Sequence, residues 1–93
     1  MQVLKMKKSK QLERHLKGLA NHRRLDILVF VKKFPGATLD GIAAKIDCHL
    51  ANVSIHTHKL VKAGLLDKKY VGREVSHVLS PYGEKFLSFL ETI

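Results

Sequence analysis

Carboxylates are scarce in this chain. Eight Asp and Glu stand against seventeen Lys and Arg, a formal net charge of +9, and that imbalance makes polyanions the favoured partners. Cysteine is scarcer still. Cys48 stands alone, so no internal disulfide framework exists, which agrees with a reducing compartment. No uninterrupted apolar run is long enough to span a bilayer, and the basic N-terminus is not followed by a signal-type hydrophobic stretch. The expectation is therefore no membrane partner and a cytoplasmic, nucleoid-associated protein. The chain also lacks a Gly-rich phosphate loop, a nucleophile-base-acid set and a credible metal triad, which argues against an enzyme and against any cofactor. Repeats, Pro-rich linkers and low-complexity blocks are absent. A length of 93 residues allows one compact domain with a modest core, so function has to sit on the surface or at a subunit interface.

What is present reads as a series of short helices. Residues 1–10 carry Lys5, Lys7, Lys8 and Lys10 with no acid, and form either a basic arm or the start of the first helix. Residues 11–93 are expected to make a single domain. Leu12, Leu16 and Leu19 follow i, i+4, i+7 spacing and predict a first amphipathic helix ending near Gly18. Asn21 suits the N-cap of a second helix with Leu25, Leu28, Val29 and Phe30 facing inward, Asp26 near its start and Lys32 and Lys33 at its end. Pro35 and Gly36 stop that helix. Thr38 can cap a third one running to Asp47, with Leu39, Ile42, Ala43 and Ile46 as its buried stripe. After Gly64, alternation of Val75, His77 and Leu79 with Glu74, Ser76 and Val78 predicts a hairpin over 68–79 with Gly72 at its tip. Ser80 and Pro81 read as N-cap and N1 of a last helix, with Phe86, Phe89 or Leu90, and Ile93 along one stripe and Leu87 off it.

The fourth helix, over 49–63, carries the most information. Val53, Thr57, Leu60 and Val61 define one inward face, while Ala51, Ile55, His58, Lys59 and Lys62 gather on the opposite side, with Asn52 and Ser54 at its flanks. No acidic residue lies between His49 and Ala63. A helix of small, polar and cationic side chains suits a groove lined by phosphates and base edges. It follows the third helix after a tight joint, as in a helix-turn-helix. The element order, helices followed by a two-stranded hairpin and a last helix, predicts a mainly α fold with a small β-hairpin, a winged helix-turn-helix. Asn52, Ser54 and His58 are candidates for hydrogen bonds to base edges, and Ile55 for contact with a thymine methyl. Lys59 and Lys62, with Lys68, Lys69 and Arg73 of the wing, are candidates for phosphate or groove contacts.

Three segments resemble the ArsR/SmtB-type family of small winged-helix transcriptional repressors, over roughly Leu16 to Phe86. The stretch Leu19-Ala20-Asn21-His22-Arg23-Arg24-Leu25-Asp26-Ile27-Leu28 is similar to the family's Leu-Ala-Asn-Pro-x-Arg-x-x-Ile-Leu opening, with His22 where proline is usual and Arg24 on the family arginine. The residues Ala43-Ala44-Lys45-Ile46, Val53-Ser54-Ile55-His56, Leu60 and Ala63-Gly64-Leu65 match its helix-turn-helix without a gap, although Thr57 replaces the usual leucine. The third segment, Val71-Gly72-Arg73-Glu74-Val75 with Leu79-Ser80-Pro81-Tyr82-Gly83, resembles its wing and the start of its final helix.

The resemblance implies a homodimer joined through the first and last helices and bound to a pseudo-palindromic operator of double-stranded DNA. Leu12, Leu16, Leu19, Phe86, Phe89, Leu90 and Ile93 are the candidate interface residues, with monomeric packing of both stripes as the alternative. Many members of the family sense metals through a cysteine pair on the third helix or Asp and His ligands on the last. Here 39–47 has no cysteine, and 81–93 has neither histidine nor aspartate, so no metal site is expected. His56 and His58 point to different sides of their helix, and His15, His22 and His77 are scattered in sequence. His56 reads as a phosphate contact or a hydrogen-bonded structural histidine. Cys48, at the mouth of the fourth helix, is either a redox-sensitive thiol or a small packing residue. Two other functions stay open: a non-sequence-specific, architectural nucleic-acid binder, and a winged helix that contacts an acidic protein.

Overall fold

The computed structural model describes residues 9–93. The basic stretch up to residue 8 lies outside the described residues, whereas Ser9 and Lys10 already belong to the first helix. The elements run α1 (Ser9–Leu19), α2 (His22–Lys33), α3 (Leu39–Ile46), α4 (Leu50–Lys62), β1 (Leu66–Val71), β2 (Glu74–Leu79) and α5 (Pro81–Leu90). Among the described residues, five helices and a two-stranded antiparallel wing make the architecture that the sequence pattern predicts.

The helix starts follow from local chemistry. The Asn21 side chain accepts from the backbone N–H of Arg23 at 2.9 Å and Arg24 at 3.4 Å. Thr38 accepts from Gly41, and Ser80 accepts from Gly83 with Pro81 at the first helical position. α2 lies at the centre of the packing, touching α1, α3, α4, α5 and β2. Its Ile27, Leu28 and Val31 are buried with Ile42 of α3, Val53 and Leu60 of α4, Leu65, Leu66 and Leu87. Each such side chain contributes roughly 1.5–3 kcal/mol on leaving water.

On α2 the inward face is rotated from the expected one, and on α1 and α5 residues outside the candidate interface stripes enter the core. On α1 the buried residues are His15, Gly18 and Leu19, while Leu12 is half-buried and Leu16 is 57% exposed. His15 takes the inward position because its Nδ1 donates to the Ala63 carbonyl at 2.6 Å and its ring lies 4.9 Å from that of Tyr82 and 5.6 Å from that of Phe86. On α2, Ile27 and Val31 flank Leu28 in the core, and Val29 is exposed. On α5, Leu87, which lies off the expected stripe, enters the core, with Phe86 and Leu90 half-buried against it. Phe89 is 64% exposed, and Ile93, 87% exposed, lies beyond the helix end. Leu19 therefore serves this chain's own core and offers little to a partner.

The start of α2 also departs from the dipole expectation. Its first turn holds His22, Arg23 and Arg24 and no acid, since Asp26 comes too late. The two arginines act on other helices. Arg23 Nη1 donates to the Ile46 carbonyl at the end of α3 at 2.9 Å, and Arg24 Nη1 donates to the Lys17 and Gly18 carbonyls at the end of α1 at 3.1 and 3.4 Å. Positive charge near two helix C-termini is favourable.

The exit of α4 is the most heavily tied point. Gly64 adopts φ +80° and closes the helix as a left-handed cap, with its N–H on Val61 O and the Leu65 N–H on Leu60 O. Ser80 Oγ donates to the Gly64 carbonyl at 2.6 Å, and Ser80 N donates to the Leu65 carbonyl at 3.1 Å. The wing is tied in the same way. β1 pairs with β2 from Leu66↔Leu79 to Val71↔Glu74, and an extra bridge joins His77 to Ala37 ahead of α3. His77 is fully buried, with Nδ1 donating to the Ala37 carbonyl at 2.9 Å. Its Nε2 has no hydrogen-bond partner among the described residues.

Two glycine substitutions should move stability in opposite directions. A Cβ on Gly83 would run into the Leu65 carbonyl, a backbone group that cannot step aside. Gly83→Ala is expected to cost about 2 kcal/mol, read as a fall of about 10 °C in melting temperature. Gly41 lies in α3 with only the Thr38 hydroxyl near, at 3.4 Å. Gly41→Ala is expected to raise the melting temperature by removing roughly 0.5–1 kcal/mol of helix-opposing chain entropy.

Candidate nucleic-acid interface

α4 projects its unburied face because α2 and the α4 exit hold its other side. Val53, Thr57 and Leu60 are buried, and Thr57 Oγ1 turns its polar end back to the Ser54 carbonyl at 3.0 Å. The hydroxyl at this leucine-like position is thus satisfied inside the helix. Asn52, Ser54, Ile55 and His58 are all exposed, Ile55 by 52%. They form a patch without carboxylates along the first two-thirds of the helix. The joint before α4 is tight: Asp47 takes a left-handed conformation at φ 53°, which turns the chain from α3 into α4 within three residues.

The candidate phosphate contacts line separate clefts. Lys59 and Lys62 share a cleft with Arg14 and Lys17 of α1 and Arg24 of α2, and both lysines are exposed. Arg73, exposed at the wing tip, lines a different cleft with Thr38, Asp40 and Glu74 beside the start of α3. Lys68 is half-buried opposite His77 on the inner face of the wing, whereas Lys69 is exposed on the outer face. Arg14 and Lys17 are not among the expected contacts. The signal that could have found them is a shared spacing, Arg-x-x-Lys-Gly in α1 and Lys-x-x-Lys-Ala in α4.

Cys48 is half-buried and packs against the core, lining an open cleft with Arg23, Asp47, His49, Asn52 and His56. Among the described residues no three His, Cys, Asp or Glu side chains group in a way that could hold a metal ion, and no helix is long and apolar enough to cross a membrane. His56 accepts from Arg24 Nε at 3.4 Å, a structural contact. Burial, followed by the charges of Arg24, Lys59, Arg23 and His22, holds its pKa below the ordinary 6.5.

No protein-family model matches the sequence. A search of curated proteins likewise finds no match. Solved structures do resemble it. HlyU from Vibrio cholerae N16961 superposes with a TM-score of 0.82 at 23% identity, over 94% of this chain and 95% of that one. The homodimeric winged helix-turn-helix DNA-binding domain of a possible ArsR-family transcriptional regulator from Mycobacterium bovis gives 0.82 at 23% identity, over 89% and 77%. NolR from Sinorhizobium fredii gives 0.80 at 22% identity, over 90% and 84%. Likeness at this identity shows that the chain has the winged helix-turn-helix fold.

The lowered His56 pKa carries a sign. The folded chain binds fewer protons at this ring than the unfolded chain, so the stability it contributes is full above about 6.5 and is lost as pH falls through its lower folded-state value. An NMR titration of the His56 ring is expected to give a midpoint below 6.5. A midpoint at or above the ordinary value contradicts the cationic, partly buried setting.

Proposed function

We propose that this chain is an ArsR-type transcriptional regulator that binds double-stranded DNA sequence-specifically as a homodimer, with α4 in the major groove and the wing on the flanking backbone or minor groove. The observation that carries the reading is the α4 patch: Asn52, Ser54, Ile55 and His58 stand exposed, without a carboxylate, on a helix anchored at its far end by α1 and α5. Amide and hydroxyl groups near the start of such a helix reach base edges, and an exposed β-branched side chain suits a thymine methyl. The net charge of +9 supplies the sequence-independent attraction. Repression and a pseudo-palindromic operator follow from the family resemblance.

Dimerisation is supported by apolar surface that the single chain leaves uncovered. Leu16, Phe89 and Ile93 are exposed, and Leu12, Phe86 and Leu90 are only partly covered. A two-fold dimer that buries α1 and α5 removes this surface from water and presents two copies of α4 to half-sites about one helical turn apart.

Selection of bound duplexes from a random pool, with the mass measured in solution, tests the reading. An enriched inverted repeat and a dimer mass are expected; a pool without enrichment points instead to architectural binding. Asn52→Ala should weaken the selected duplex by about 1–3 kcal/mol while leaving unrelated duplexes nearly unchanged, and an equal loss on every sequence removes Asn52 as a reader. Leu16→Glu should halve the mass in solution while the helical circular dichroism persists.

A further inference from the structure

The C-terminal ends of α1 and α4 meet too closely for a side chain at Gly18. A Cβ on Gly18 would collide with that of Ala63, so the crossing requires glycine on one side and a small residue on the other. Each helix places cations four residues and one residue before its crossing point: Arg14 and Lys17 before Gly18, Lys59 and Lys62 before Ala63. Arg24 enters from α2. The five line one open cleft of about 440 Å³ with Gly18 and Ala63 as its remaining lining, and no carboxylate among the described residues lines it. The nearest compensation is Glu13, 3.8 Å from Lys17 with both side chains largely exposed, which is a weak pair in water.

Gathering five like charges opposes folding. The cost has a use if an anion occupies the cleft. Arg24 is already rigid there, its Nη1 on the Lys17 and Gly18 carbonyls and its Nε on His56, so little freedom remains to be lost on binding. A guanidinium flanked by ammonium groups matches phosphate oxygens. Lys59 and Lys62 belong to the same helix as the base-reading patch, which makes the cleft a continuation of that surface onto α1.

We propose that this cleft is a phosphodiester-binding site, in which Arg14, Lys17, Arg24, Lys59 and Lys62 grip the DNA backbone beside the groove occupied by α4. The inference rests on the DNA-binding reading above and adds α1 and the start of α2 to the contact surface.

The test is the Arg14→Gln/Lys17→Gln double variant of the full chain, which replaces two exposed cations by a good helix former. Affinity for the selected duplex is measured against salt concentration. If each protomer loses one phosphate contact, the slope of log affinity against log salt should fall by about two for a dimer, at roughly 0.9 per phosphate. The thermal midpoint should stay the same or rise, because repulsion is relieved; a merely structural pair would lower it. Lys62→Gln, on the opposite wall, should also lower the slope. A wild-type slope that survives both variants overturns the cleft and leaves the DNA reading standing, whereas a wild-type chain with no salt-dependent duplex affinity overturns both. Inorganic pyrophosphate distinguishes the source of the phosphate. Amide shifts at Gly18 and Ala63 that vanish in the double variant, together with an unchanged DNA slope, would assign the cleft to a free phosphorylated ligand and overturn the assignment to DNA.

Discussion

The exit of α4 at Ala63-Gly64-Leu65 is the constraint on which the other elements depend. Four groups from two other helices converge there: the His15 ring on the Ala63 carbonyl, Gly18 against the Ala63 methyl, Ser80 on the Gly64 carbonyl, and Gly83 against Leu65. The His15 and Ser80 contacts exist because a helix has just ended and its carbonyls need partners, and the two glycines let the backbones come close enough for them. The left-handed turn at Gly64 presents them outward, and α1 and α5 are built to receive them. Loosening this point would free both flanking helices and the α4 axis together.

The same anchoring orders the functional surface. α4 is fixed at its C-terminal end and bounded at its start by the left-handed Asp47, so its exposed face has a defined direction. The wing is fixed separately, through the bridge between His77 and Ala37 that precedes α3. The wing bridge lies in the backbone, and α4 is held by the buried His15 and Ser80 side chains on its carbonyls, which makes the spacing between wing and helix a property of the fold rather than of any surface side chain. Specific readout needs that spacing to be constant.

Features governed by neighbours along the chain are legible in the sequence. Asn21, Thr38 and Ser80-Pro81 as caps, Gly64 as a stop, Gly72 at the hairpin tip and the two faces of α4 all follow from short-range chemistry. Features governed by distant partners are not. Leu12 and Leu16 outweigh His15 on any hydrophobic scale, yet His15 is buried because a carbonyl 48 residues further along accepts its proton. Leu87, off the stripe of Phe86, Phe89 and Ile93, reaches the core for a similar reason, since Gly83 lets α5 lie directly on the Leu65 backbone and so sets its rotation. The cations of α1 read as solvated surface, because nothing local says that Gly18 will meet Ala63. A glycine inside a helical pattern is the hint that a second backbone comes close.

The wing has a further consequence for how this molecule behaves in a crowded solution. Among the described residues β1 is an outer strand, with β2 on one side and no strand on the other, and an open edge can recruit another chain's strand. Tyr70 and Val71 lie at its exposed end and would favour such pairing. The preceding Asp67, Lys68 and Lys69 oppose it, since an identical edge brought alongside in parallel register would set lysine against lysine. The charge on β1 thus disfavours joining of copies of the chain edge to edge into sheets.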